Sequence, residues 1–178
     1  MKLEDKIREQ IREVPDFPIP GVLFKDISPI FLDAELMKSC HQALASPWID
    51  KGITKVIGID SRGFLLGPQI AENLGAGFVM VRKKGKLPPE TYEMSYALEY
   101  GEATLEAVKG ALGPQDRVLI HDDLLATGGT ASASAALAKK LGAEIAGFSF
   151  IISLSFLKGA EKLKMYSNQI HALVDYSG

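Results

Sequence analysis

The thirteen residues from Val118 to Thr130, VLIHDDLLATGGT, restrict what this chain can fold into more than any other stretch. They open on an apolar β-type run, Val118-Leu119-Ile120, set off by the turn signal Gly113-Pro114. The run ends in two adjacent carboxylates, Asp122 and Asp123, and after Leu124-Leu125 comes Ala126-Thr127-Gly128-Gly129-Thr130. An alanine-rich helical stretch, Ala131 to Leu141, follows, and Gly142 stops it. Strand, acidic pair, glycine loop and helix in that order put a loop of backbone N–H groups at a helix N-terminus. There the dipole and the unpaired donors favour a phosphate. Glycines let the backbone approach the anion without a Cβ, and the threonine hydroxyls add hydrogen bonds. No Lys follows the glycines, so this is not a Walker A loop. Carboxylates accept hydrogen bonds from hydroxyls, so Asp122 and Asp123 read as a cradle for a ribose diol whose 5′-phosphate sits on the loop.

An ordinary βα turn has no need of the acidic pair and TGGT together. The segment resembles the phosphoribosyl pyrophosphate (PRPP) motif of the type I phosphoribosyltransferases. That resemblance implies an α/β fold with a parallel sheet flanked by helices and a small hood with a flexible loop. It also implies that Asp122, Asp123, Ala126, Thr127, Gly128, Gly129 and Thr130 bind PRPP and AMP.

A length of 178 residues suits one domain with a sizeable core, spanning the whole chain. No apolar run reaches the roughly 18 to 20 residues of a membrane span. The start, MKLEDKIREQ, is charged and helical and lacks the apolar core of a signal peptide. Twenty basic residues against 22 acidic ones give a net charge of −2, so no general affinity for nucleic acid is indicated. Cys40 is the only cysteine, which leaves no internal disulfide and fits a reducing cytoplasm. It falls on the apolar face of a helical pattern and reads as a small buried hydrophobe. His41, His121 and His171 are too scattered for a zinc site.

In chain order, Lys2 to Glu13 reads as an amphipathic helix with Leu3, Ile7 and Ile11 on one stripe, ended by Pro15. Three prolines in the next six residues, Pro15 to Pro20, make a stiff extended arm that delivers Val22 to Pro29. Phe24 on that arm is well held to present a ring to a planar base. Asp33 to Ser46 is a second helix with Asp33 as N-cap and Leu36, Met37, Cys40 and Leu44 facing inward. Lys55 to Asp60 is a buried strand that runs into Ser61-Arg62-Gly63-Phe64, a second anion-binding turn by the same dipole logic. Leu65 to Leu74 is helical, with Pro68 in its first turn and Gly75 after its end. Gly77 to Arg82 is a strand leading to Arg82-Lys83-Lys84-Gly85-Lys86-Leu87-Pro88-Pro89, with four positive charges in five residues. Like charges so close suit a solvated loop, and a lid of that kind can neutralise a polyanionic leaving group. Ser95 to Tyr100 and Ala103 to Val108 read as strands, as do Ala146 to Ser155 and His171 to Tyr176, with a short helix over Leu157 to Lys164. Strands alternating with helices mark a parallel sheet covered on both faces, and every candidate anion loop lies at a strand's carboxyl end.

DFPIPGVLFKDISP, from Asp16 to Pro29, narrows the resemblance to the adenine phosphoribosyltransferase family, purine-salvage enzymes that make AMP. By that resemblance Phe24 stacks on adenine while the backbone of Leu23 and Lys25 reads its hydrogen-bonding edge. The family often carries Arg at the position of Lys25. The base-binding arm then covers about residues 1–32, and the mobile loop about 83–96. Ser61, Arg62, Arg82, Lys83 and Lys86 are implied in pyrophosphate binding, and Glu99, Arg62 and Lys86 in catalysis, Glu99 as the carboxylate facing the purine. The reaction implied joins adenine N9 to C1′ of PRPP, giving AMP and pyrophosphate through a transition state of oxocarbenium character. Mg²⁺ is expected on PRPP oxygens and waters rather than in a protein cage. A cytoplasmic homodimer is implied, with no nucleic-acid or membrane partner. His121 stands where the family usually has Val or Ile. Alternation puts it on the face of Leu119, opposite Ile120 and Asp122, as a tolerated or subunit-contacting histidine. The rival readings are a phosphoribosyltransferase for hypoxanthine, guanine or xanthine, and a PRPP-sensing regulator. The first usually has a Lys near the C-terminal strands, where SLSFL, Ser153 to Leu157, has none. The second needs an extra domain or a basic face.

Overall fold

The computed structural model describes residues 1–98 and 101–178. Its central sheet has seven strands in the order β5-β6-β4-β3-β7-β8-β9. Five of them, β3 (Lys55–Ile59), β4 (Gly77–Lys83), β7 (Arg117–Leu125), β8 (Glu144–Leu154) and β9 (Ile170–Tyr176), run parallel. β5 (Thr91–Ala97) and β6 (Glu102–Val108) form an antiparallel hairpin that joins the edge through Arg82 and Lys83 of β4. Period-two alternation divides the core. Ile57, Ile59, Val118 and Ile120 face one layer, together with the buried alanines of α4 (Gly129–Lys140). Val56 and Leu119 face the other, under α1 (Leu3–Gln10), α2 (Ala34–Ala45) and α3 (Gly67–Leu74).

Most helix ends follow their sequence signals. Asp33 caps α2 by accepting from the N–H groups of Glu35 and Leu36, both at 3.0 Å. Pro68 sits in the first turn of α3, and Gly75 closes it in the left-handed conformation. Gly142 at φ +93° follows α4. Cys40 is fully buried, and burial pushes its thiol up to about 11, which leaves it a small hydrophobe.

Several boundaries differ from the sequence reading; β5 starts at Thr91 rather than Ser95, and two others shape the site. α1 stops at Gln10, because Arg12–Pro15 forms a strand, β1, paired antiparallel with β2 (Leu23–Asp26). Ion pairs join the two strands, Arg12 to Asp26 at 2.7 Å and Lys25 to Glu13, and Ile11 still buries its side chain from extended backbone. The proline-rich segment is therefore the turn of a two-stranded ribbon. Secondly, β7 does not end at the acidic pair but continues to Leu125, paired on one side with β8. β3 follows β7 only as far as Gly58, opposite His121, and then turns away. Beyond that point, among the described residues, no strand pairs with β7 on that side, and the turn after β3 packs there beside Asp122.

Candidate active site

The chain goes from β3 to β4 on one side and later returns to place β7 on the other, so the sheet order reverses between β3 and β7. Open α/β sheets bind ligands in the crevice at such a reversal, beyond the strand carboxyl ends. Here the crevice lies between the turn after β3, Asp60 to Phe64, and the end of β7 with the loop into α4. The two walls approach closely. A Cβ on Gly63 would lie 2.9 Å from the His121 carbonyl oxygen, so only glycine allows the contact.

The loop Ala126–Thr130 wraps a cavity of about 210 Å³ at the N-terminus of α4. Gly128, at φ +78°, reverses the chain into the helix. A Cβ on it would overlap the Gly159 carbonyl, and one on Gly159, in α5 (Gly159–Leu163), would overlap that of Ala126. Gly129 is less constrained, since a Cβ there would meet only the Tyr96 ring, at 3.9 Å. The steric requirement thus falls on the first glycine of the pair.

Asp122 is half-buried and Asp123 buried. Burial pushes the Asp122 carboxyl well above the usual range, and the neighbouring Asp123 adds to the rise. Burial raises Asp123 as well, opposed by Arg62. Arg62 Nε stands 3.0 Å from Asp123 Oδ2. That contact compensates charge without hydrogen-bond geometry, so among the described residues the buried oxygen accepts from no donor.

Arg62 borders three neighbouring cavities. One is the phosphate-sized loop cavity. The second, of about 540 Å³, is lined by Asp60, Ser61, Lys83, Tyr96, Asp122, Asp123 and Thr130. The third, of about 610 Å³, is mostly apolar and lined by Val14, Phe17, Phe24, Ile27, Phe31 and Leu65, with Arg12, Asp26 and Ser28 as its polar rim. Arg62 also lies over the Phe24 ring, 5.0 Å from its centroid, and Phe17 meets the ring edge-on at 5.1 Å. Asp26 accepts from the Ser28 N–H and from Arg12, and its carboxyl lies below the usual range, Ser28 contributing most.

The structure therefore brings together Ser61, Arg62, Lys83, Phe24 and the whole Asp122–Thr130 run. Leu23 and Lys25 flank Phe24 on β2 with their side chains turned away, Lys25 to Glu13 and to the face of Tyr176, 4.1 Å from its centroid. Arg82 is not in the crevice. It donates to Asp60 at 3.1 Å and to the Lys86 carbonyl at 3.3 Å. Lys86 is exposed and borders none of the three cavities. Glu99 lies outside the described residues. Of the two readings of His121, its full burial inside the chain supports the tolerated one and leaves no surface for a subunit contact. Its Nδ1 lies 3.0 Å from the Ser149 carbonyl, and burial lowers it to about 4.

The sequence gives no sign of the roles of two further residues, one lining the crevice and one holding the basic turn beside it. Tyr96, from β5, places its hydroxyl 3.3 Å from Thr130 Oγ1. Buried Glu106 accepts from the N–H groups of Lys86 and Leu87, both at 2.9 Å, and from the Thr91 hydroxyl at 3.2 Å, fastening the basic turn to β6. Tyr96 acts on a helix and Glu106 on a turn, each distant from it in sequence. Their only local sign is an alternating strand pattern, which says nothing of what they touch.

Residues 30–172 match the model of the Phosphoribosyl transferase domain family. An adenine phosphoribosyltransferase of Nitrosococcus oceani is 49% identical over 172 residues, covering 97% of this chain and 99% of the relative. Among solved structures, the adenine phosphoribosyltransferase of Rhodothermus marinus superposes with a TM-score of 0.92 at 47% identity over 98% of both chains. The Saccharomyces cerevisiae enzyme, crystallised with adenine and an imino-altritol bisphosphate, gives 0.89 at 37% identity over 96% of this chain and 98% of its own.

Proposed function

This chain belongs to the adenine phosphoribosyltransferases of that domain family, and we propose how its own residues carry out the reaction, PRPP plus adenine giving AMP and pyrophosphate. The observation that carries the assignment of residues is the position of Arg62 on three adjoining cavities. An aromatic slot, an acidic crevice with Ser61 and Lys83, and a phosphate-sized loop follow one another around it. They correspond in chemistry to base, ribose with leaving group, and 5′-phosphate.

In this reading the 5′-phosphate takes the N–H groups of Ala126 to Thr130 and the Thr127 and Thr130 hydroxyls, at the positive end of α4. Asp122 and Asp123 accept from the ribose 2′- and 3′-hydroxyls. That supplies a donor to Asp123 Oδ2, which has none among the described residues. Pyrophosphate lies on Ser61, Arg62 and Lys83, with the exposed Lys86 side chain swinging in from the basic turn. Adenine enters the slot against Phe24, and the free edge of β2 offers it main-chain groups of Leu23 and Lys25. Residues two apart on a strand direct their backbone groups to the same edge, so both face one side of the base.

The N9–C1′ bond forms as the bond from C1′ to pyrophosphate breaks, and negative charge accumulates on the leaving oxygens. Cations placed there favour the transition state over the ground state. We assign the N9 proton to Glu99. Among the described residues no three His, Cys, Asp or Glu side chains converge as a metal cage. The hard oxygen donors Asp60, Asp122 and Asp123 around one cavity fit Mg²⁺ held chiefly by PRPP oxygens and water. When bound it supplies further charge neutralisation on pyrophosphate. We also propose a cytoplasmic homodimer, the setting supported by a single cysteine that is buried. Sedimentation at micromolar concentration checks the assembly.

The deciding experiment supplies PRPP with adenine, hypoxanthine, guanine and xanthine in parallel. Adenine is expected to be used with the highest kcat/KM. Preference for an oxopurine would remove the adenine assignment and leave the transferase class standing.

A further inference from the structure

We propose that Tyr96 is a positioning residue for the phosphate loop, orienting the Thr130 hydroxyl so that its proton points at the 5′-phosphate. The proposal rests on the reading of Ala126–Thr130 as the 5′-phosphate cradle.

Tyr96 comes from the hood hairpin, paired with Ala103 of β6, and reaches over the first turn of α4. Its ring lies 3.9 Å from where a Cβ on Gly129 would stand, an ordinary packing distance that seats the ring against the start of α4. Its hydroxyl is 3.3 Å from Thr130 Oγ1, and both side chains line the cavity that holds Ser61, Arg62, Lys83 and the acidic pair. A threonine hydroxyl has one proton. If Thr130 donates to phosphate, its oxygen is free to accept, and the tyrosine O–H is the donor within reach. The chain Tyr96 to Thr130 to phosphate is then directed one way, each bond strengthening the next. Without the tyrosine proton the threonine hydroxyl is free to turn toward other acceptors. The same contact joins the hood to the phosphate end. Lys140 near the far end of α4 makes a second tie, donating to the Glu93 carbonyl at 3.4 Å.

The test is Tyr96→Phe, which keeps the ring packing and removes one hydroxyl, alongside Thr130→Val, Thr127→Ala and the Tyr96→Phe/Thr130→Val pair. Ribose 5-phosphate binding is measured by calorimetry, and KM and kcat are measured with PRPP. Tyr96→Phe is expected to weaken ribose 5-phosphate and raise KM for PRPP about fivefold, the size of one neutral hydrogen bond, with a smaller change in kcat. The double variant is expected to be no weaker than Thr130→Val alone, because the tyrosine acts only through that hydroxyl. If Tyr96→Phe binds ribose 5-phosphate like the parent while the threonine variants bind poorly, Tyr96 has no such role and the cradle stands. Additive losses in the double variant, or a loss of kcat at unchanged KM, also overturn the proposal. If the threonine variants themselves bind normally, the cradle reading fails and takes this one with it.

Discussion

His121 shows how a side chain can be placed by its strand and yet change the behaviour of the protein. It sits in a row of the sheet between Gly58 and Ser149, with His171 one strand further on, sealed from water and, among the described residues, bonded through Nδ1 alone. Burial holds it neutral down to about pH 4, against 6.5 for a free imidazole. The unfolded chain binds the proton first, so the stability this residue contributes is full above pH 6.5 and is lost as pH falls toward 4. The loss amounts to about 3 kcal/mol at the acid end. His121→Val is expected to flatten the fall in unfolding free energy between pH 6.5 and 4, measured by urea titration. A parallel fall in both proteins would show that other groups dominate. Asp122 has the opposite sign. Its raised carboxyl favours the fold when protonated and opposes it as pH rises through its folded value. Asp122→Asn is expected to raise the melting temperature by several degrees at pH 7, on the order of 1–2 kcal/mol, while PRPP turnover falls steeply. A variant that loses stability as well as activity would mean that the carboxylate serves the fold.

At the scale of elements, the two βα turns were legible because their chemistry is local: glycines, hydroxyl residues and an acidic pair within a few positions of a strand end. Gly128 and Gly129 nevertheless looked equivalent in the sequence. Only the packing of Gly159 against the loop separates them, and that partner lies thirty-one positions away. Gly128→Ala is therefore expected to weaken AMP binding at least tenfold, on the order of the 1.5 kcal/mol that a misplaced charge-assisted bond costs. Gly129→Ala should bind within a few-fold of the parent, and a titration that ranks the two the other way refutes the steric reading. The basic run is the opposite case. Its charges are plain in the sequence, but the roles of Arg82 and Lys86 depend on what holds the turn. Arg82 braces Asp60 and Lys86, and Glu106 fixes two N–H groups of the turn from a strand that the chain reaches twenty residues later. Glu106→Ala leaves those donors without their acceptor. It is expected to lower kcat more than it raises KM for adenine, with faster amide exchange at Lys86 and Leu87. Unchanged exchange at those amides would show that the turn does not depend on the carboxylate. The β1–β2 ribbon is hidden in the sequence because the apolar stripe Leu3-Ile7-Ile11 runs past the helix end, and a stripe does not reveal that Ile11 keeps its burial from extended backbone.

For the molecule as a whole, the crevice is assembled from distant parts of the sequence, with Phe24 on the N-terminal ribbon and the phosphate loop about a hundred residues on, bridged by Arg62. Base and phosphoribose recognition should then be separable. Phe24→Ala removes the aromatic wall, and stacking on such a face is worth roughly 1–3 kcal/mol. KM for adenine is expected to rise about tenfold to a hundredfold while that for PRPP changes little, since Arg62 keeps its contact with Asp123. Selectivity is a separate matter. The polar edge of adenine offers an amino donor beside a ring-nitrogen acceptor, and a 6-oxopurine reverses the pattern. A fixed backbone edge at Leu23 and Lys25 would reject the oxopurine by leaving polar groups unpaired. The Lys25 side chain takes no part in this. It turns from the slot to Glu13 and Tyr176, so its work is to tie the ribbon to β9. Lys25→Ala is expected to cost about 1 kcal/mol of stability through the lost cation–π contact and packing, and to leave the preference for adenine over hypoxanthine within about threefold of the parent. Comparing kcat/KM for the two purines decides the matter. A Lys25→Ala enzyme that accepts hypoxanthine would mean that side-chain chemistry reads the base, and that the ribbon's backbone does not.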